Sequence, residues 1–417
     1  MKTKTFTSTA AAAFCVLAFA AGNADAQGTV GVTKVHSSRP RASLRTVTPQ
    51  SGAPQFGDAL PGLTSEQLAY FGAGMDEFEN VETVAGGLGP VFNNVSCVAC
   101  HNAGGTGGGS AILVTRFGQA ANGVFDPLTA LGGSLLQDNA INAAALETVP
   151  AQANVIAHRQ STPLFGAGLI EAIADADIQR NVLKVPLDGI KGRAAMVTDV
   201  ATGQQRVGRF GWKAQQATLL SFAGDAYLNE MGITSRLFPL ENAPNGDAAK
   251  LAAWDTVLDP EDEVDPATGR GDIDAAADFM RFLAPPPPLP LTASASAGKT
   301  IFQQINCAAC HTPMMTTAPN SISALNRKPV ALYSDLLLHD MGALGDGITQ
   351  GPAGPTEMRT PPLWGLRASA PYLHDGRAPT IEAAIMAHDG EAKTSRDRYS
   401  RLSKTQRQQL LDFLKSI

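Results

Sequence analysis

Apolar residues recur at helical spacing in four stretches of the chain. In the stretch Thr64–Glu79 they fall at every third or fourth position, on Leu68, Phe71, Met75 and Phe78. This spacing puts them on one face of a helix, because side chains three and four positions apart are neighbours on a helix surface. Similar stripes predict helices over Asp272–Leu283, Ala297–Ile305 and Ser403–Ile417.

Polar and rigid residues mark the ends of these predicted helices. Asp272 is the expected N-cap of its helix, and Ser403 with Gln406 forms the pattern of a capping box. The helix that begins at Asp272 is followed by Pro285–Pro288, a run that cannot be helical and favours a stiff, extended segment. We therefore predict a linker over residues 285–291, between domains at 61–284 and 292–417.

Residues 1–26 have the pattern of a secretory signal peptide. A basic start that includes Lys2 is followed by an apolar run, Ala10–Ala21, and by an A-x-A cleavage pattern. We therefore expect an exported, periplasmic protein whose mature chain begins near Gln27, with a flexible segment over 27–60. The apolar run is too short to span a bilayer and no later stretch is long enough, so no membrane span is predicted.

All four cysteines beyond this segment lie in two copies of one motif, C-x-x-C-H. This is the attachment signature of haem c, in which two thiols add to the porphyrin vinyl groups and the histidine binds the iron. We therefore predict two covalent haem c groups, held by Cys97, Cys100 and His101 and by Cys307, Cys310 and His311. The expected fold is mainly α, with two cytochrome c-like helical domains, the first of which carries a large loop-rich insertion.

Composition agrees with this fold and leaves few other uses for the cysteines. Sparse aromatic residues, 41 glycines and 27 prolines favour helices joined by irregular loops over a large sheet. A net charge of -6 gives no indication of a surface that binds polyanions. The remaining alternatives are one zinc site built by four cysteines, two disulfides, or a dithiol redox pair. The zinc site leaves the histidine that follows each cysteine pair unexplained. The disulfides and the dithiol pair are disfavoured because no βαβ pattern surrounds either cysteine pair.

The sixth ligand of each haem iron decides between an electron carrier and a reactive site. A strong ligand makes an electron carrier, whereas an open position admits peroxide or oxygen. The mature chain offers nine methionines and, outside the two motifs, five histidines: His36, His158, His339, His374 and His388.

Several further motifs resemble those of the bacterial di-haem oxidoreductases, a family related to the di-haem cytochrome c peroxidases and MauG. The resemblance extends over roughly residues 60–417. The segments that carry it are Gly89–Asn93, Gly104–Gly109, Pro163–Ala172, Gly208–Lys213, Glu230–Thr234, Leu338–Gly342 and Arg359–Arg377.

This resemblance implies sixth ligands. In the peroxidases a methionine that follows the P-Y-x-H-x-G segment binds the C-terminal haem, and in MauG a tyrosine does so. Counting along this chain puts His388 there, with His374 and His339 as the alternatives. For the first haem the resemblance favours Met231, with an open or water-bound iron as the alternative and His158 as a weaker candidate. His388 with Met231 would make the C-terminal haem the one of lower potential.

One departure from the peroxidases concerns catalysis. Around the tryptophan that resembles Trp212 they carry a catalytic Gln and Glu, and alignment puts Phe210 and Leu220 at those positions. Apolar side chains cannot transfer protons to or from peroxide. Glu171 and Gln215 are the nearest substitutes, and the catalytic residues stay unassigned.

The resemblance implies a peroxidase-like enzyme that moves electrons between its two haems. The alternative is a non-catalytic di-haem electron-transfer cytochrome. The implied partners are a small redox protein or quinol-linked electron donor and a small-molecule oxidant such as peroxide. Calcium binding is a further expectation from the peroxidases, without a ligand cluster visible in the sequence.

Overall fold

The computed structural model describes residues 33–38, 45–48 and 52–417. The predicted signal peptide and part of the predicted flexible segment lie outside these residues. The described residues form eleven α-helices: α1 Ser65–Glu79, α2 Cys97–Cys100, α3 Ala167–Glu171, α4 Asp175–Arg180, α5 Leu219–Met231, α6 Ala248–Trp254, α7 Asp272–Phe282, α8 Ala293–Gln304, α9 Ile381–Ala387, α10 Lys393–Ser400 and α11 Lys404–Ser416. In this part of the chain each helix is too short or too polar to cross a lipid bilayer.

The four predicted helices are present. Thr64 caps α1, where its side chain accepts a hydrogen bond from the Gln67 amide. Ser403 and Gln406 form the predicted capping box at the start of α11. Helix α8 begins earlier than its apolar stripe, because the Thr292 hydroxyl accepts the Ala295 amide at 3.1 Å and caps it there.

Asp272 is not the N-cap of α7, and that prediction was wrong. The cap position is Gly271, and Asp272 is the first helical residue. The Gly271 amide donates to the Asp274 carboxylate at 2.8 Å, and the Asp272 amide donates to Asp262 at 2.7 Å. Asp262 therefore accepts the first helical amides, the role expected of the Asp272 side chain, and Asp274 accepts the amide of the cap residue.

The strands are short and all paired strands are antiparallel, which confirms the expectation of no large sheet. One sheet has three strands, β2 Leu113–Ala121, β3 Val124–Asp126 and β5 Val155–Gln160, with β2 in the middle. The others are pairs: β1 Val91–Phe92 with β4 Asn139–Ala140, β6 Met196–Thr198 with β7 Gln205–Val207, β8 Met315–Thr316 with β9 Pro329–Val330, and β10 Leu338–Asp340 with β11 Glu357–Arg359.

A crossed pair of helices forms the frame of each half. In the first half α1 packs on α7, where the rings of Phe71 and Phe279 stack with centroids 5.4 Å apart. In the second half α8 packs on α11, where Phe302 meets Phe413 edge to face at 5.4 Å. The first crossing is close, because a Cβ at Gly74 would lie 2.3 Å from the Ala275 carbonyl oxygen.

The backbone of one segment is repeated in the two halves. The segments that begin at Phe210 and Tyr372 align without a gap, and each closes a short antiparallel bridge, to Gln216 and to Ala378. Left-handed φ values recur at matching positions, 76° at Gly211 and Leu373 and 51° and 69° at Ala214 and Gly376. Each segment then enters a helix capped by threonine, α5 by Thr218 and α9 by Thr380. The internal duplication is therefore visible in the backbone.

Residues on both sides of the proline-rich segment contribute to one hydrophobic core. Leu332, Leu336 and Trp364 from the second half pack in the same cluster as Phe71 and Phe279 from the first. A second cluster belongs to the second half alone and surrounds Phe302, Tyr399 and Phe413. The predicted domain boundary at 285–291 stays a prediction.

Replacing Gly298 by alanine should destabilise the second half. Its Cβ would lie 1.9 Å from the Gln409 carbonyl oxygen, so α8 and α11 must separate. We expect a loss of about 1–3 kcal/mol in the free energy of unfolding, the usual cost of overpacking. Denaturant unfolding followed by circular dichroism measures it, with S296A at an exposed position of the same helix as the control. Equal stability of G298A and S296A would contradict the close crossing.

Candidate cofactor cavities

Two cavities open in the described residues, and each has one C-x-x-C-H motif in its wall. The first cavity lies beside Cys97, Cys100 and His101 and holds about 1190 Å³ of empty space, part of it open to solvent. The second lies beside Cys307, Cys310 and His311 and holds about 1320 Å³. Each cavity brings two cysteine thiols and the motif imidazole to the same open space, which is the donor set that a covalently attached haem requires.

The first motif is presented by a single helical turn. Helix α2 runs from Cys97 to Cys100, and the Ser96 hydroxyl caps it by accepting the Ala99 amide. His101 follows directly, and its Nδ1 lies 3.0 Å from the Gly108 carbonyl oxygen. A carbonyl only accepts, so Nδ1 carries the proton and Nε2 is the nitrogen left to bind a metal. Burial lowers the pKa of His101 to about 4, which keeps the imidazole neutral.

The second motif has the same arrangement on a 3₁₀ turn, Cys307–Ala309. The His311 Nδ1 lies 3.1 Å from the Tyr333 carbonyl oxygen, which again leaves Nε2 available. Burial, and then the neighbouring His388, lowers the pKa of His311 to about 4. In both motif histidines a backbone carbonyl thus holds Nδ1, and burial keeps the imidazole neutral.

The competing interpretations of the cysteines find no support in the described residues. Neither cysteine pair is joined by a disulfide in the described residues. The two pairs line different cavities, and no group of nearby metal-binding side chains combines them. A single zinc site with four cysteine ligands is therefore not assembled.

His388 faces His311 across the second cavity. Their ring centroids are 6.4 Å apart, and the His388 Nδ1 lies 2.8 Å from the Ala384 carbonyl oxygen, so its Nε2 is also free. A metal–imidazole bond is about 2 Å long, so two axial imidazoles on one metal place their ring centroids about 6 Å apart. The observed separation therefore fits one iron between the two rings.

The other two histidines of the second cavity, His339 and His374, have different surroundings. His339 has both ring nitrogens engaged, Nε2 with Asp335 at 2.8 Å and Nδ1 with Glu391 at 2.7 Å. Burial would lower its pKa, but hydrogen bonds to Asp335, Cys310 and Glu391 raise the pKa of His339 to about 12. His374 is buried in the cavity wall, with its ring packed edge to face on Trp212, centroids 6.1 Å apart.

The first cavity has no histidine opposite His101 among the residues described. Met231, the last residue of α5, is buried in its wall, and so is Met280 of α7. In the gapless alignment of the repeated segments, His388 corresponds to Ala226, which also lines the first cavity. Helix α5 continues past this position, whereas its counterpart α9 ends at Ala387. The repeat therefore supplies an imidazole in the second cavity and a methyl group in the first.

Two acidic residues of α5, Asp225 and Glu230, line the first cavity, and neither was predicted as a site residue from the sequence. Burial raises the pKa of each carboxyl, and the Arg116 cation opposes the rise. The Asn93 side-chain amide donates to Glu230 at 2.8 Å and orients it. The motif Glu230–Thr234 was the sequence signal that could have revealed Glu230. The sequence analysis took the second residue of this motif, Met231, as the functional one.

Of the two residues weighed as catalytic substitutes, Gln215 lines a cavity and Glu171 does not. Gln215 lines the first cavity, and its Oε1 is buried without a hydrogen-bond partner among the described residues. Glu171 lies elsewhere, where it accepts the Leu219 amide and pairs with Arg281. Phe210 and Leu220 are packed in the first hydrophobic core.

His158 lies on the exposed face of β5, where its nearest polar partner is the Thr115 hydroxyl at 3.4 Å. It does not line either cavity.

Trp212 lines both cavities. Its indole Nε1 donates to the Gln160 carbonyl at 2.8 Å. The Gln160 side chain in turn donates to the carbonyls of Pro371 and Leu373, and its backbone amide donates to that of His374. One residue of β5 thus ties the tryptophan to the corresponding turn of the second half.

A buried charge network adjoins the first cavity. On the sheet, Arg159 pairs with Val114 across β2 and β5, so that both side chains share one face. The Arg159 Nε donates to Asp346 at 2.7 Å, and the Lys213 ammonium lies 3.0 Å from the same carboxylate. Burial would raise the pKa of Asp346, but Arg159 and Lys213 outweigh burial and hold it below its usual value.

A cluster of acidic side chains lies outside both cavities. Oxygen atoms of Glu241, Asp259 and Glu261 lie within 4.8 Å of one another. Burial raises the pKa of Glu241 to about 9 and that of Glu261 to about 7. Calcium binding stays a prediction from the resemblance.

Comparison with known proteins identifies one family. A sequence model described as "Di-haem oxidoreductase, putative peroxidase" matches residues 138–417, a range that includes the second motif, His388 and Glu230. No curated protein matches the chain.

Solved structures similar to this chain include three proteins of low identity. Hydrazine synthase of Kuenenia stuttgartiensis, pressurised with xenon, is 16% identical over 93% of this chain and 100% of its own, with a TM-score of 0.39. A MauG-like protein associated with microbial copper homeostasis is 18% identical over 61% and 88%, with a TM-score of 0.32. The diheme peroxidase BthA from Burkholderia thailandensis E264 is 14% identical over 50% and 65%, with a TM-score of 0.29.

Replacing Asp346 by asparagine should leave Arg159 and Lys213 as unpaired buried cations. We expect a loss of about 3–5 kcal/mol in the free energy of unfolding at neutral pH, the usual cost of removing one partner of a buried ion pair. The wild-type contribution is complete above the ordinary Asp pKa of 3.8 and is lost as the pH falls through the lower folded value. Denaturant titrations at several pH values measure this, with the exposed D340N as control. A D346N protein as stable as D340N at neutral pH would contradict the role of the network.

Proposed function

Because the chain belongs to the di-haem oxidoreductase family, we propose that it is a periplasmic enzyme of peroxidase type that carries two covalent haem c groups. It takes electrons from a small redox protein or a quinol-linked donor and passes them to a small-molecule oxidant such as peroxide. Export through the predicted signal peptide of residues 1–26 supports this location, because haem c attachment is a feature of exported chains.

The residues of both cavities fit haem. Cys97 and Cys100 in one cavity and Cys307 and Cys310 in the other would form the thioether bonds, and His101 and His311 would bind the irons through Nε2. Haem supplies one-electron redox chemistry and, where an axial position is free, a site that reacts with small oxidants.

The single observation that carries the proposed roles of the two sites is that His388 in the second cavity corresponds to Ala226 in the first. His388 stands 6.4 Å, ring to ring, from His311, which favours a closed, six-coordinate second site suited to electron relay. Ala226 offers no ligand atom at the matching place, which favours an open first site where the oxidant reacts. Met231 is the remaining candidate for a ligand there.

The polar groups of the first cavity fit proton transfer to a bound oxidant. Burial raises the pKa of Glu230, so its carboxyl holds a proton to higher pH than an exposed glutamic acid does. Asn93 keeps that carboxyl in one orientation through its 2.8 Å hydrogen bond. Glu230 would deliver the proton to the departing oxygen, with Gln215 and Asp225 as polar neighbours in the same wall.

Trp212 is suited to carry electrons between the cavities, since it lines both of them. The Gln160 carbonyl accepts its Nε1–H at 2.8 Å and holds the indole in one orientation. A purely electron-transferring cytochrome would have no use for the carboxyl groups around the first cavity, which favours an enzyme. Absorption spectra of the half-reduced protein separate the two functions, because only an enzyme has a high-spin haem that reacts with added peroxide.

Replacing Ala226 by histidine should close the first site. The imidazole would stand where His388 stands in the second cavity, so the high-spin spectrum should disappear and peroxide turnover should fall at least tenfold. Absorption and electron paramagnetic resonance spectra measure the spin states. H388A is the matched opposite, which should make the second haem high-spin and leave the first unchanged. A persistent high-spin first haem in A226H would contradict the alignment of the two cavities.

Replacing Glu230 by glutamine should slow peroxide turnover by roughly 10²–10⁴-fold, the usual contribution of a general acid or base. The amide is nearly the same size but cannot give up a proton as an acid, so both haems should remain attached with unchanged spectra. Steady-state turnover with peroxide and a reduced electron donor measures the effect, with the exposed E263Q as control. Wild-type turnover by E230Q would exclude the proposed role.

A further inference from the structure

Arg359 is a buried cation in the wall of the second cavity that has no anionic partner among the described residues. Its side chain is 5% exposed. Nε donates to the Gly211 carbonyl at 2.8 Å and Nη1 donates to the Thr360 carbonyl at 3.1 Å. The described residues provide no ion pair or further hydrogen bond for Nη2. The guanidinium therefore has donors to spare beside an apolar cavity.

The other buried cations of the described chain each have a carboxylate. Arg209 pairs with Asp175, Lys213 lies 3.0 Å from Asp346, and Arg159 donates to Asp346 as well. Arg396, the second arginine in the wall of this cavity, is paired with Asp389 and Asp397. Arg359 is thus an exception in the part of the chain that the structure describes. A lone buried charge is costly unless a ligand brings its counter-ion.

Asp335 is the carboxylate whose charge acts on Arg359, and it already has another hydrogen-bond partner. Asp335 accepts a hydrogen bond from the His339 Nε2 at 2.8 Å. Burial lowers the pKa of Arg359 to about 10, and Asp335 opposes this only in part. A pKa of that size still leaves the guanidinium charged at neutral pH, so the cavity presents a permanent positive charge to whatever fills it.

We propose that Arg359 binds a propionate carboxylate of the second haem. The proposal rests on the function proposed above, because it requires haem in the second cavity. Haem is a largely apolar disc with two carboxylates on its edge, and the cavity is a largely apolar space with one uncompensated cation in its wall. Guanidinium and carboxylate form paired, charge-assisted hydrogen bonds, which suits the free Nη2.

The same residue is a positioning residue for Trp212. The Arg359 backbone amide donates to the Trp212 carbonyl at 2.9 Å, and its Nε holds the preceding carbonyl, that of Gly211. The propionate, the guanidinium and the backbone that carries this indole would therefore form one hydrogen-bonded series. Binding of the second haem would fix the backbone that carries the tryptophan.

The first test is a redox titration of the two-haem protein in which Arg359 is replaced by glutamine. Loss of the positive charge disfavours the reduced haem, so the ratio of reduced to oxidised second haem at a set potential should fall about tenfold, or about 59 mV for one electron. The first haem serves as an internal reference, and R401Q, an exposed arginine, is the matched control. R359K keeps the charge and should shift the ratio less. Equal second-haem titrations of R359Q and R401Q would overturn the proposal.

The second test reads the contact directly and does not depend on R359Q folding. Redox-induced infrared difference spectra of protein grown with haem ¹³C-labelled at the propionates should show a carboxylate band that moves between wild type and R359K. A band that stays in place, or a second-haem potential that varies with added chloride in wild type, would overturn the proposal in favour of no contact or a diffusible anion. Mass spectrometry distinguishes failure of the function itself, since wild-type protein without two added haem masses would contradict that proposal first.

Discussion

The hydrogen bond between Nδ1 of each motif histidine, His101 or His311, and a backbone carbonyl is the constraint on which both cavities depend. In each case Nδ1 donates a hydrogen bond to a carbonyl about 3 Å away, at Gly108 or at Tyr333, which leaves Nε2 as the nitrogen that can bind a metal. The surrounding helices can then differ without changing the metal-binding nitrogen. Crossed helices, short turns and irregular loops in each half serve to keep one imidazole pointed into one cavity.

Much of the fold and part of the site could be predicted from the sequence. The helical stripes and caps Thr64 and Ser403 are local signals, since their partners lie three residues away. The C-x-x-C-H motifs are local too. His388 was reached only through the family resemblance, and its position 6.4 Å from His311 agrees with it. The ligand assignments themselves stay predictions.

Other features depend on contacts that the sequence does not display. Glu230 reaches the first cavity because α5 runs on to Met231, whereas α9 ends at Ala387, and helix length was not readable from the apolar pattern. The lack of an anionic partner for Arg359 among the described residues depends on residues from distant strands and turns, so it could be seen only after the chain was folded.

The pKa values of the two thiols in the second motif bear on how the protein is assembled in the cell. Burial raises the pKa of the Cys307 thiol to about 12 and also raises the pKa of the Cys310 thiol. Neither thiol therefore forms a reactive thiolate in the folded chain. If haem is attached there as proposed above, these sulfurs would react either as thiols or before the second half of the chain buries them.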